Sequence, residues 1–101
     1  MQQAQILSQR EEFVAHEFTK ILRNEFRRTG AVRWFDIDAL LVQHRRFEAY
    51  SRAEVLSAIR QGAYRQDLRF HLWYSADTTR SDGFKYVISL REHLLRNRHG
   101  V

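Results

Sequence analysis

Two alternating runs in the second half of the chain limit its fold more than any other feature. In "LRFHLWY", Leu68, Phe70, Leu72 and Tyr74 point one way. In "FKYVISL", Phe84, Tyr86, Ile88 and Leu90 do the same. An apolar period of two is the mark of a half-buried strand. The nine residues between them, "SADTTRSDG", are turn formers. The pair therefore predicts an antiparallel hairpin with a long tip. Its other face carries Arg69, His71, Trp73, Lys85, Val87 and Ser89. Trp73 is expected to pack beneath a last helix.

Helical periodicity precedes the hairpin. From about Gln9 to Thr29, Val14, Phe18, Ile21, Leu22 and Phe26 fall on one side, and Gly30 is a natural stop. Glu25 interrupts that stripe and is expected at the core edge, paired with an arginine. "AVRWF", Ala31 to Phe35, reads as a brief strand. Asp36 can cap a second helix, "DIDALLVQHRRF", with Ile37, Leu40, Leu41, His44 and Phe47 inward. Ser51 and Glu54 have capping-box spacing for a third helix ending near Gly62. Val55, Leu56, Ile59 and Ala63 form its buried side; Ala53, Ser57, Arg60, Gln61 and Tyr64 lie opposite. Ser89 and Glu92 suggest a short C-terminal helix through Leu94 and Leu95. Residues 1–8 and 96–101 are expected to fray.

With 101 residues, no repeat, no linker and no proline, one domain over 1–101 is the simple reading. The absence of cysteine excludes disulfides and thiolate metal sites. No apolar run approaches the roughly 18 residues of a membrane span. "MQQAQILSQREE" lacks a signal peptide's apolar centre, so a cytoplasmic location is expected. Glycine-rich phosphate loops and catalytic motifs are lacking, and the five histidines do not have metal-ligand spacing. Asp36 and Asp38 are two apart, would diverge on a helix, and are explained by capping. Neither an enzyme nor a cofactor is expected.

The net charge of +5 and a pI of about 10.2 favour a polyanionic partner. Residues 1–43 balance six basic against six acidic side chains, whereas 44–101 hold eleven against six. Fifteen of the seventeen basic residues are arginine, whose planar fork suits phosphate and guanine edges.

The order of helix, strand, helix, helix, hairpin and small helix resembles the winged-helix variant of the helix-turn-helix, over about residues 9–90. The resemblance lies in element order and charge placement. It implies an α+β fold of three helices, an antiparallel hairpin wing and a short C-terminal helix. It makes 36–46 the first helix of the motif, "FEAY" its turn, 51–62 a recognition helix for the major groove, and 75–83 the wing. The nucleic-acid-binding residues implied are Arg45, Arg46, Arg52, Ser57, Arg60, Gln61, Tyr64, Arg65, Thr79, Arg80 and Lys85. The expected function is a sequence-specific binder of double-stranded DNA, a transcriptional regulator acting as a homodimer. The alternatives are a docking module for a host protein, as in small phage or plasmid proteins, and a binder of structured RNA. Exposure of Phe13 would favour a protein interface.

Overall fold

A computed structural model describes residues 8–63 and 70–91. The first helix, α1 (Gln9–Thr29), begins at Ser8, which forms a complete capping box with Glu11. Gly30 ends it in the left-handed region at φ 76°, its N–H donating to the Phe26 carbonyl at 2.7 Å. Glycine adopts that conformation without the backbone strain that a Cβ brings there, although the surrounding space is open.

The chain then forms β1 (Phe35–Asp36), α2 (Ile37–Gln43), a 3-10 turn (Arg45–Phe47), α3 (Arg52–Gly62), β2 (Phe70–Ala76) and β3 (Phe84–Leu90). All strand pairs are antiparallel, in the order β1-β3-β2. The hairpin register pairs Phe70 with Leu90 and Ala76 with Phe84. β1 joins the other edge of β3, with Phe35 opposite Ile88. The described residues thus make an α+β fold of three α-helices and one small antiparallel sheet.

The core sits between α1, α3 and the base of the hairpin. Val14, Ala15 and Phe18 from α1 meet Val55, Ala58 and Ile59 from α3, all with no exposed surface. Phe70 and Ile88 close the core from the sheet. Period two then carries the same sheet face outward, from buried Phe70, Ile88 and Leu90 at the base to exposed Tyr74 and Phe84 near the tip.

Three expectations shift in detail. The strand expected at 31–35 is confined to Phe35–Asp36, where β3 offers partners. The second helix stops at Gln43, because His44 is extended at φ −113°, ψ 105°. The 3-10 turn that follows seats Phe47 in the core, stacked on Phe18 at 4.7 Å between ring centres. The hairpin tip is 77–83 rather than 75–83, since Ser75 and Ala76 still pair with Lys85 and Phe84. The expected C-terminal helix and the frayed ends lie outside the described residues, apart from Ser8, which is fixed as the cap of α1.

Candidate nucleic-acid interface

The hairpin tip is built by local hydrogen bonds. Asp77 Oδ1 accepts from the Thr79 amide at 3.0 Å and from Thr79 Oγ1 at 2.6 Å. Gly83, at φ 86°, completes the turn as its N–H donates to the Arg80 carbonyl at 3.1 Å. Thr79 is therefore occupied within the tip.

Arg80 points back toward the helices. Its guanidinium donates to Asp36 at 2.9 and 3.1 Å, to Asp38 at 2.8 Å and to Asp77 at 3.3 Å. Arg52, in the first turn of α3, donates to Asp38 at 2.7 and 3.2 Å and to the Phe84 carbonyl at 3.0 Å, and pairs with Asp82 at 2.9 Å. Asp36 and Asp38 were expected to diverge on one helix. They converge because Asp36 precedes α2 in extended conformation, as its cap, while Asp38 lies in the first turn.

The protonation of this network follows from its contacts. Hydrogen bonds from Arg80 hold Asp36 below the usual aspartate range. Burial alone would raise Asp38, but hydrogen bonds from Arg52 and Arg80 outweigh it and the net shift is downward. Arg80 is raised further above its already high value, first by Asp36 and then by Asp38. Four carboxylates thus surround two guanidiniums, a net charge of −2 where α2, α3 and the hairpin tip meet. An approaching phosphate would meet that negative field and would have to displace ion pairs already made. Arg52 and Arg80 are thus both engaged in ion pairs within the protein.

Along α3, Arg10 from α1 donates to Glu54 at 2.5 and 3.0 Å and to the Ala49 carbonyl at 2.8 Å. Ser51 Oγ still accepts from the Glu54 amide at 3.1 Å, so the cap stands while the Glu54 carboxylate serves Arg10. Ser57 Oγ donates to Glu11 at 2.9 Å, and the Gln61 amide donates to Ser57 at 3.4 Å. Both are half-buried. Arg60 differs: it is exposed and has no ion pair among the described residues.

Arg60 borders a groove of about 540 Å³ between α3 and the sheet, shared with Ala63, Phe70, His71, Leu72, Tyr74 and Tyr86. Tyr74 lies 5.8 Å from both Phe84 and Tyr86, ring centre to ring centre. Tyr74 is 59% exposed; Trp73, on the opposite sheet face, is 66% exposed.

The other expected contacts disperse. Lys85 shares the Trp73 face, away from the groove. Arg45 pairs with Glu48 at 3.3 Å, and Arg46 with Glu17 of α1. Tyr64 and Arg65 lie outside the described residues. Glu25 pairs with Arg28 at 2.6 Å, and His44 packs edge-on against Phe47, its pKa lowered chiefly by burial. Phe13 is 42% exposed and stacks on Tyr50 at 5.9 Å.

Sequence reasoning missed the Ser8–Glu11 box, although the S-x-x-E spacing was present to find it. It also missed Arg10, Tyr74 and Tyr86 as parts of this surface. Tyr74 and Tyr86 look like core positions by alternation alone; Tyr86 does pack against the core, half-buried, whereas Tyr74 is exposed. Among the described residues no acidic or histidine cluster could hold a metal, and no helix is long and apolar enough to cross a membrane. No protein-family model, curated protein or solved structure matches this chain.

Proposed function

We propose that the chain is a winged-helix module that binds duplex DNA through the outer side of α3 and the groove beside it. The observation that carries the reading is Arg60. It is an exposed guanidinium on the third helix with no ion pair among the described residues, next to a groove lined by Tyr74 and Tyr86. The element order is compatible with it: β1 joins the sheet on the edge of β3 away from β2, and Arg60 is exposed on α3. A major groove about 12 Å wide accepts one helix, and arginine recognises guanine through two parallel hydrogen bonds. The acidic network at the hairpin tip argues for an approach led by the C-terminal half of α3, with the tip held off the backbone. Regulation of transcription, and two copies on paired half-sites, are the natural setting for such a module.

A protein-docking reading is favoured by a different observation. Exposed Tyr74 and Phe84, in ring contact on the groove side of the sheet, together with Arg60 have the composition of an interface centre. Selection of binding sites from random duplex DNA separates the two. An enriched motif that depends on Arg60 supports DNA reading; its absence, with Arg60 and Tyr74 needed for capture of a defined protein, supports docking.

A further inference from the structure

We propose a second anion-binding surface, on α1, that holds the phosphate backbone of duplex DNA without regard to sequence. It shares no residue with the α3 groove and goes beyond that reading. Lys20, Arg23 and Arg27 recur at steps of three and four residues on the side of α1 turned away from the core, and all three are exposed. Arg23 has no ion pair among the described residues, and Arg27 donates only to the Asn24 side chain at 3.4 Å.

Arg46 extends the ridge from the neighbouring turn. It and Lys20 converge on one carboxylate, Glu17, whose side chain is only 11% exposed. Burial alone would raise Glu17, but hydrogen bonds from Lys20 and Arg46 keep it ionised. One shielded anion thus gathers two cations, and the four basic groups leave a surplus of +3 at the surface. The nearby Glu25 and Glu48 are cancelled by Arg28 and Arg45. Counting charge by halves of the sequence hides this ridge, because the acids that balance it in residues 1–43 include Asp36 and Asp38, which fold to the hairpin tip.

The geometry favours a duplex backbone as occupant. Neighbouring cations on one helix face stand about 5–6 Å apart, so each meets its own phosphate on a strand that presents one per roughly 3.4 Å of axis. The aromatic residues next to these cations in sequence, Phe26 and Phe47, pack against or within the core and are not presented to stack unpaired bases, as single strands require. A helix lying on an anionic membrane needs a free apolar face, and that of α1 is spent in the core through Val14, Phe18, Ile21 and Leu22.

The test uses the full chain, the triple variant K20Q/R23Q/R27Q and the separate variant R60A, with a fluorescent duplex of arbitrary sequence over a salt series. Thermal melting followed by circular dichroism checks that both variants fold. The triple variant should bind more weakly at low salt, and its log–log salt slope should be shallower by about 2–3, near 0.9 per lost contact. An unchanged slope overturns the ridge, even if R60A alters binding-site selection. Failure of the wild type to bind the duplex at low salt also overturns it, as does Lys20-, Arg23- and Arg27-dependent binding to phosphatidylglycerol vesicles alone. A ridge-dependent slope with no selected motif supports the ridge and refutes the α3 reading.

Discussion

Ile59→Ala tests whether α3 is oriented as described, because Ile59 fixes which side of the helix faces out. Its side chain has no exposed surface and belongs to the core shared with α1 and the sheet. Truncation removes three carbons. At about 0.8 kcal/mol for each buried methylene the transfer loss is roughly 2.4 kcal/mol. Incomplete collapse of the cavity adds to that, which places the cost at about 3–4 kcal/mol, within the 2–5 usual for such changes. With a urea m-value of about 1.5 kcal/mol/M, the unfolding midpoint should fall by roughly 2 M. Urea titration followed by circular dichroism measures this, and m should be unchanged. A midpoint equal to that of wild type would refute the packing of α3 and, with it, the outward placement of Arg60.

Arg60→Ala, by contrast, should leave stability within about 0.5 kcal/mol, as for other exposed sites, while weakening binding to a selected DNA site by about 1–3 kcal/mol; loss of stability without loss of binding would refute its assigned role. Gln61→Ala should affect site binding less than Arg60→Ala, because its amide already donates to Ser57; competition assays on one duplex give the order. Arg80→Ala should destabilise at neutral pH, since Asp36 and Asp38 then face each other with one guanidinium fewer, yet leave the DNA salt slope unchanged. Asp36 and Asp38 are held below the ordinary aspartate value, so their contribution is present above about pH 4 and is lost as pH falls through their lower folded values. The melting-temperature gap between wild type and Arg80→Ala should therefore narrow on acidification below that point; a constant gap down to pH 2 would contradict the network.

The elements were legible where their causes are local. Alternation around "SADTTRSDG" indicates the hairpin, and Gly30, Asp36 and Ser51 mark helix ends by chemistry within a few residues. What the sequence hid is long-range. Arg80 meets Asp36 and Asp38 across more than forty residues, Arg10 meets Glu54 across 44, and Ser57 meets Glu11 across 46. Ion pairs of that kind leave no periodic trace, so Arg52 and Arg80 looked like free cations. The break at His44 was masked for a related reason: Phe47 has helical spacing from Leu40 but reaches the core through a 3-10 turn.

The most direct test is selection of sites from a random duplex library by the full chain at one fixed salt concentration, beside Arg60→Ala. DNA reading led by α3 requires a motif enriched by the wild type and lost in the variant, while both retain sequence-blind, salt-sensitive binding. Wild type and Arg60→Ala recovering the same motif, or neither recovering one, would contradict it.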